Sequence, residues 1–236
     1  MKWRVMPYLA MFLVSSVSAK EPFECQTDCT FVLKSEKNNH YQIIDEQRAN
    51  RQLSPFSTFK IPNSLIALDL GVVKNLNQPL TFDPSVYPIQ KWWRKVWYEA
   101  PLNLKEAYKH SAVPIYQQLA ATIGKSNMRK YLSDFNYGNQ DITSGIDSFW
   151  LNGSVKISAK EQVDFLQKIQ NKSVIASSKS IDMLKQAMLV ESTDNYKLYA
   201  KTGAGTLDSG KKLGWYVGFV ESKGSVTYFA FNMERD

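Results

Sequence analysis

Cysteine and histidine are scarce in this chain of 236 residues, which contains two of each. Structural zinc sites generally use four Cys or His ligands, so most zinc frameworks are excluded and no metal is expected. The sequence also has no Gly-rich phosphate loop and no Rossmann fingerprint, which leaves nucleotide chemistry without an obvious site. Hydrophobic residues make up 44% and charged residues 22%, a composition that is typical of a folded domain and excludes a disordered chain.

A strong excess of one charge is also missing. The chain has 29 Lys+Arg against 22 Asp+Glu, a formal charge of +7. The basic residues are scattered and form no arginine-rich stripe, so we expect no nucleic-acid partner. The length suits one domain with a substantial hydrophobic core.

The apolar run at the N-terminus, residues 5–14, is too short to span a bilayer comfortably. Basic residues precede it, and the small residues 17–19 follow, which is the pattern of a secretory signal peptide over residues 1–19. We therefore expect cleavage near Ala19-Lys20, export to the periplasm, and a single mature domain over residues 20–236 without a stable membrane anchor. An uncleaved N-terminal anchor is the alternative.

Cys25 and Cys29 lie close together near the start of the expected mature chain. Because an exported protein meets an oxidising compartment, the two residues can form a local disulfide. A loop this short constrains the unfolded chain little, and strain can cancel the gain.

The pattern of apolar residues predicts strands, then helices, then strands. The predicted strands are 30–33, 41–44, 196–201, 213–221 and 226–233, and helical signals dominate from about 58 to 190. Ser126 is predicted to cap a helix that runs to Asp134, and Ser158 with Glu161 forms a capping box. We expect an α/β fold of the α+β type, in which strands from both chain ends share one antiparallel sheet and the helical middle packs against it.

The first chemical signal is Ser57-Thr58-Phe59-Lys60, directly ahead of an apolar helical stretch. Helical spacing puts Ser57 and Lys60 on one face near a helix N-terminus, where the lysine can act as the base for a weakly nucleophilic hydroxyl. Free N–H groups there can also stabilise a developing oxyanion. Taken alone, the pattern fits an ordinary capped helix equally well.

The second signal is Lys201-Thr202-Gly203, at the end of the strand predicted at 196–201. A Lys-Thr pair can hold a substrate carboxylate, and a glycine lets backbone approach a ligand closely. Alone, this motif fits an ordinary strand end. Ser-x-x-Lys early and Lys-Thr-Gly late are together typical of serine β-lactamases and penicillin-binding proteins.

Three further motifs lie in order between these two: Ser111-Ala112-Val113, Tyr137-Gly138-Asn139 and Phe149-Trp150-Leu151. With all five, the chain resembles the class D (oxacillinase) serine β-lactamases from about Cys25 to its last residue. Class A enzymes carry Ser-Asp-Asn where this chain has Ser-Ala-Val. The resemblance implies the serine β-lactamase/penicillin-binding fold and an enzyme that hydrolyses penicillin-type antibiotics and confers resistance to them.

The resemblance also implies a mechanism. Ser57 would form an acyl-enzyme with the opened lactam, and its amide, with that of Ala204, would form the oxyanion hole. Lys60 would be carboxylated by dissolved carbon dioxide or bicarbonate, giving N6-carboxylysine as the general base, with no bound cofactor. Only a neutral amine attacks carbon dioxide, and burial lowers a lysine pKa. The indole N–H of Trp150 can donate to the resulting carbamate.

The remaining motif residues receive roles from the same resemblance. Ser111 would pass a proton to the leaving lactam nitrogen. The residues expected to contact the β-lactam substrate are Val113, Tyr137, Asn139, Lys201, Thr202, Gly203 and Ala204. Considered singly, Ser111 also fits a helix cap, Trp150 a core tryptophan and Tyr137-Gly138-Asn139 a plain turn.

An aromatic cluster, Trp92, Trp93 and Trp97, lies in the stretch between the first two motifs. It either walls the substrate pocket or packs in the core.

The C-terminal end departs from the family pattern. Relatives continue past the last strand into a helix that covers one sheet face, preceded by an arginine that pairs with the substrate carboxylate, whereas the sequence given ends at Asp236. Arg235 comes too early for that role, so carboxylate binding would rest on Lys201 and Thr202. Leaving three or four large apolar side chains uncovered forfeits roughly 5–10 kcal/mol of gross burial. We therefore expect weak folding or weak activity.

Other functions share these motifs. A β-lactam sensor would acylate at Ser57 without turnover, and such domains normally follow a transmembrane helix. A cell-wall transpeptidase or carboxypeptidase would more typically carry Asn at the position of Val113. The sequence leaves open whether the protein is a monomer or a homodimer, and which β-lactams it prefers.

Overall fold

A computed structural model describes Cys25, residues 28–151 and residues 153–236. The predicted signal peptide over residues 1–19 lies outside the described residues. A disulfide joins Cys25 to Cys29, whose Cα atoms are 5.7 Å apart. No helix in the described part of the chain is long and apolar enough to cross a membrane.

The described residues form an antiparallel sheet of six strands in the order β2-β1-β6-β5-β4-β3. The strands are β1 (Cys29–Ser35), β2 (His40–Ile44), β3 (Leu189–Ser192), β4 (Tyr196–Thr206), β5 (Lys212–Ser222) and β6 (Ser225–Arg235). Strands from both chain ends therefore share one sheet, as the sequence predicts.

The C-terminal hairpin sets the register of the sheet. Ser222 pairs with Ser225 across a two-residue turn, in which Lys223 and Gly224 both have positive φ angles. Two positive φ angles are typical of the tight turns whose twist matches that of paired strands. β6 then pairs with β1, where Phe31 lies opposite Phe231, so the first strand lies between β2 and the last strand.

Two strands differ from the sequence prediction. β4 continues five residues past the predicted end at Lys201, because β5 pairs with it as far as Thr206. Lys201-Thr202-Gly203 therefore lies within the strand and not at its end. The short strand β3 (Leu189–Ser192) falls where helical signals dominate, so the sequence did not reveal it.

The middle of the chain is helical, as predicted. Its described elements are α2 (Lys60–Asp69), α3 (Leu104–His110), α4 (Val113–Phe135), α5 (Ala159–Gln170) and α6 (Ser178–Met188), with α1 (Glu46–Ala49) before them and short 3-10 helices at Phe56–Phe59 and Lys95–Trp97. Largely irregular segments, residues 71–103 and the described residues 136–151 and 153–158, separate α2 from α3 and α4 from α5.

Helix starts follow local chemistry in part. Ser158 and Glu161 form the predicted capping box at α5. Helical structure already begins at Val113, and α4 breaks at Gly124, whose φ of 78° a residue without a Cβ adopts easily. The predicted helix start at Ser126 lies two residues after this break, and the predicted end at Asp134 is one residue before the end of α4.

α5 packs against the inner face of β1, β5 and β6. Lys34 of β1, which is buried, donates to Asp164 of α5 at 2.8 Å. Trp215 and Phe219 of β5 lie in the same core. The helical middle thus covers one face of the sheet and brings α5 next to the residues around Ser57.

The outer face of β1 and β6 carries apolar side chains that are only half-buried. They are Phe31, Leu33, Phe231 and Met233. The expectation of weak folding or weak activity stays a prediction.

Candidate active site

Ser57 lies in a 3-10 helix, Phe56–Phe59, that leads into α2. The sequence predicts an ordinary helix start here, and the structure has a tighter turn. Phe56, directly before Ser57, has a φ of 47°, which is rare for a bulky side chain. The backbone N–H of Phe56 donates to the carbonyl of Trp150 at 3.1 Å, and that of Thr58 donates to Pro55, also at 3.1 Å. These bonds hold Ser57 on a strained turn.

Lys60 lies one turn after Ser57, as predicted. Its Nζ is 3.0 Å from Ser57 Oγ, within hydrogen-bond distance, and its side chain is completely buried. Burial, and secondarily the charge of Lys201, lower the pKa of Lys60 well below its usual value. The short distance places the amine of Lys60 beside a serine hydroxyl, and the lowered pKa favours the neutral form of that amine.

Aromatic rings surround Lys60. Its Nζ lies 5.0 Å from the centre of the Tyr116 ring. The ring of Phe59, the residue before Lys60, stacks on Trp150 with centroids 5.2 Å apart. Trp150 is fully buried, and its Nε1 has no hydrogen-bond partner among the described residues. A buried donor without an acceptor is costly and marks a place where an additional acceptor fits.

β4 packs closely against the turn that carries Ser57. A Cβ atom added at Gly203 would lie 2.9 Å from the carbonyl oxygen of Pro55 and 3.0 Å from Thr58 Cγ2. At Gly205, a Cβ would overlap the ring of Phe56. Glycine at these positions lets the strand backbone reach the turn that carries Ser57, which brings the first and last motifs together.

Lys201 contributes positive charge to the same place. Its side chain points inward, with Nζ 5.6 Å from the centre of the Tyr108 ring and 3.0 Å from the carbonyl oxygen of Thr202. Burial lowers the pKa of Lys201 to about 8. Lys201 and Thr202 border a cavity of about 460 Å³ that Tyr108 also lines, but Ser57 and Lys60 are not among the described residues that line it.

Ser111 ends helix α3 with a left-handed φ of 60°. The neighbouring carbonyl of His110 accepts a hydrogen bond of 2.9 Å from Trp97 Nε1, which fixes the turn. Val113, two residues on, begins α4 and is buried. The Ser111-Ala112-Val113 motif thus joins α3 to α4, close to Tyr108, whose ring contacts Lys201.

The structure supports the core alternative for two of the three tryptophans of the cluster. Trp93 and Trp97 are buried and contact each other, so they belong to the core. Trp92 meets both rings edge-on yet is 64% exposed.

The Tyr137-Gly138-Asn139 motif packs against residues next to Ser57 and Lys60. Tyr137 is fully buried and contacts the rings of Phe59 and Phe165. Asn139 uses its side chain to bond the backbone of Ser154 and Lys156, at 2.9 Å each. Direct contact of Tyr137 and Asn139 with substrate stays a prediction.

Sequence reasoning missed Gln162 of α5. This side chain is fully buried, and its Nε2 donates to Thr58 Oγ1 at 2.8 Å. A signal was available, because Gln162 interrupts the buried stripe of α5 that includes Val163 and Leu166. Polar side chains at such positions normally form a hydrogen bond.

Among the described residues there is no cluster of His, Cys, Asp or Glu that could hold a metal ion.

Comparison with known proteins agrees with this geometry. The penicillin binding protein transpeptidase domain family matches residues 30–236. The chain is 42% identical to β-lactamase OXA-48 of Klebsiella pneumoniae, over 98% of this chain and 90% of that protein. It is 38% identical to β-lactamase OXA-10 of Pseudomonas aeruginosa, over 97% of this chain and 85% of that protein.

Solved structures give the same result. The class D β-lactamase FUS-1 (OXA-85) of Fusobacterium nucleatum subsp. polymorphum superposes with a TM-score of 0.83 at 35% identity, covering 89% of this chain and 85% of the other. The fold is therefore that of the penicillin-binding and serine β-lactamase proteins. Within it, the chain belongs to the class D β-lactamases, which confirms the resemblance drawn from the five motifs.

Proposed function

We propose that this protein hydrolyses the lactam amide of penicillin-type antibiotics through an acyl-enzyme on Ser57, with Lys60 carboxylated by carbon dioxide as the general base. The observation that carries the proposal is the 3.0 Å distance between Ser57 Oγ and the Nζ of buried Lys60. A base within hydrogen-bond reach of a serine hydroxyl is the geometry that nucleophilic catalysis requires.

Two further observations support carboxylation of Lys60. Its lowered pKa favours the neutral amine, whose Nζ can form a bond to the carbon of carbon dioxide and release a proton to water. The Nε1–H of Trp150 lacks an acceptor among the described residues, and a carboxylate on Lys60 is the kind of group that it fits. When present, this group supplies an anionic acceptor for the proton of Ser57 and for that of the hydrolytic water.

Different residues of the chain carry out the steps of acylation and deacylation. Ser57 Oγ bonds to the lactam carbonyl carbon, the C–N bond breaks, and Ser111 relays a proton to the leaving nitrogen. The amides of Ser57 and Ala204 stabilise the oxyanion. Water then cleaves the ester and frees Ser57.

Substrate binding is assigned to the middle of β4. The ammonium of Lys201 and the hydroxyl of Thr202 hold the substrate carboxylate, and Gly203 keeps the strand close to the turn that carries Ser57. Val113 helps to keep the surroundings of Lys60 apolar. The whole reaction makes the host bacterium resistant, and it takes place after export to the periplasm.

The test follows hydrolysis of a chromogenic β-lactam by the chain from residue 20, with and without bicarbonate, alongside mass spectrometry of Ser57. Turnover that rises with bicarbonate and disappears in Ser57→Ala is the expected result. A stable Ser57 adduct without turnover would favour a β-lactam-binding sensor, and the absence of any adduct would overturn the proposal.

A further inference from the structure

We infer that Gln162 is a positioning residue for Ser57, acting from helix α5 through Thr58. The inference rests on the proposed function, because the placement of Ser57 has kinetic consequences only if Ser57 is the group that is acylated.

The argument starts from a short chain of buried hydrogen bonds. Gln162 Nε2 donates to Thr58 Oγ1 at 2.8 Å, and Thr58 Oγ1 donates to the carbonyl oxygen of Pro55, also at 2.8 Å. Gln162 and Thr58 are both fully buried. These bonds connect α5 to the two residues that bracket Phe56 and Ser57, so they close the turn that presents the nucleophile.

The turn needs such support because it is strained. Phe56 has a φ of 47°, in the left-handed region that a bulky side chain adopts only when its surroundings fix it. On one side, β4 presses against Pro55 and Thr58 at Gly203. From α5, the Gln162 amide donates a directional hydrogen bond to the side chain of Thr58.

The start of α5 is well placed to act as this support. Leu53 and Ile157 exchange backbone hydrogen bonds of 3.0 Å and 2.9 Å, which tie the segment before Ser57 to the segment before α5. The capping box of Ser158 and Glu161 fixes the first turn of the helix. Gln162 follows directly, so its side chain extends from a fixed helix end and not from a mobile loop.

The consequence is kinetic. A loosened turn lets Ser57 Oγ move relative to Lys60, and small displacements of a nucleophile reduce the rate strongly. The chemistry of Lys60 itself, including its reaction with carbon dioxide, does not depend on this contact. Loss of Gln162 should therefore slow acylation and leave the bicarbonate requirement unchanged.

Gln162→Leu and Gln170→Leu form a matched pair for the test. Gln170 lies on the same helix and its Nε2 donates to Glu221 at 2.6 Å, away from the nucleophile turn. We expect Gln162→Leu to lower the single-turnover acylation rate constant at least about tenfold, as a displacement below 1 Å can do. Gln170→Leu should acylate at the wild-type rate, even with a similar loss of melting temperature.

Thr58 provides a second pair in case Gln162→Leu folds poorly. Thr58→Val keeps the shape and removes the hydroxyl, so it should slow acylation, whereas Thr58→Ser should restore it. The bicarbonate concentration that gives half-maximal activity is the internal control, and it should be the same in the wild type and in all variants. Wild-type acylation rates in Gln162→Leu and Thr58→Val, or an equal loss in Gln170→Leu, would overturn the inference. Failure of the wild-type chain to acylate at all would instead overturn the proposed function.

Discussion

At the residue scale, burial sets the chemistry of two lysines. Lys60 and Lys201 carry the same amine, and both lose water on folding. Lys60 is fully buried beside the positive charge of Lys201, so its pKa falls far, while the pKa of Lys201 falls to about 8. At neutral pH one amine is available as a nucleophile or base, and the other still carries a charge for an anionic substrate.

A pH dependence follows from the pKa of Lys201. Below about pH 8 the folded protein holds Lys201 protonated, and above it the positive charge is lost. We expect kcat/KM for penicillins to fall as the pH rises through about 8, because the substrate carboxylate loses its partner. The pH profile of kcat/KM measures this. In Lys201→Arg, whose guanidinium stays charged, the alkaline fall should move to higher pH; a fall that remains near 8 would assign it to another group.

Trp150 permits a test of the carboxylated lysine. Trp150→Phe removes the N–H that we assign to the carbamate, and a hydrogen bond to a charged group contributes about 1.5–3 kcal/mol. We expect the bicarbonate concentration for half-maximal activity to rise about tenfold or more. Trp93→Phe is the matched control, because Trp93 Nε1 is also buried without a partner among the described residues. Equal bicarbonate requirements in the two variants would contradict the assignment.

At the element scale, the site depends on how closely β4 approaches the turn before α2. The strand supplies Lys201 and Thr202, and the turn supplies Ser57, so their separation is set by the residue between the two backbones. That residue is Gly203, where a Cβ would meet Pro55 and Thr58 at 3.0 Å or less.

Substituting this glycine should separate the two elements. Gly203→Ala adds a methyl group where there is no space, at a cost of about 1–3 kcal/mol, and should lower kcat more than tenfold by displacing β4. Gly214→Ala is the control, since a Cβ at Gly214 meets only Met233 Cγ at 3.8 Å. Urea unfolding and steady-state kinetics of both variants measure the effect. Equal kcat in the two would show that the close approach is not needed for turnover.

At the scale of the whole molecule, a buried ion pair connects the two ends of the described chain. Arg48 of α1 donates from Nε to Asn232 at 2.8 Å and from Nη1 to Glu234 at 3.1 Å, both in β6. Arg48 also contacts Asp28 at 2.8 Å. Arg48 and Glu234 are both buried, whereas their additional charge partners Asp28 and Arg51 are exposed.

Breaking this pair should destabilise the fold without affecting the site. Arg48→Met leaves Glu234 buried with only the more distant Arg51 at 3.5 Å, and should reduce the free energy of unfolding by about 3 kcal/mol. The double variant Arg48→Met/Glu234→Gln should recover part of this loss, because the uncompensated charge is gone. Urea unfolding gives the comparison, with kcat of the folded protein unchanged. A double variant less stable than Arg48→Met would contradict this account.

Local patterns in the sequence predicted much of the fold. The strand alternation and the capping box at Ser158 depend on neighbours within a few residues, so each can be recognised without tertiary information. β3 and the extension of β4 escaped prediction because pairing with strands elsewhere in the chain determines where they begin and end.

The sequence by itself determined the family and the order of the five motifs, and it led to the prediction that Ser57 and Lys60 are the reactive pair, since these depend on residue types at short spacings. Only the tertiary structure decided the surroundings of that pair. The pKa of Lys60, the burial of Trp150 without a hydrogen-bond acceptor among the described residues, the approach of Gly203 to Pro55 and the hydrogen bond from Gln162 all arise between segments distant in the chain. Burial and long-range contacts depend on where the whole chain packs, and no local pattern specifies them.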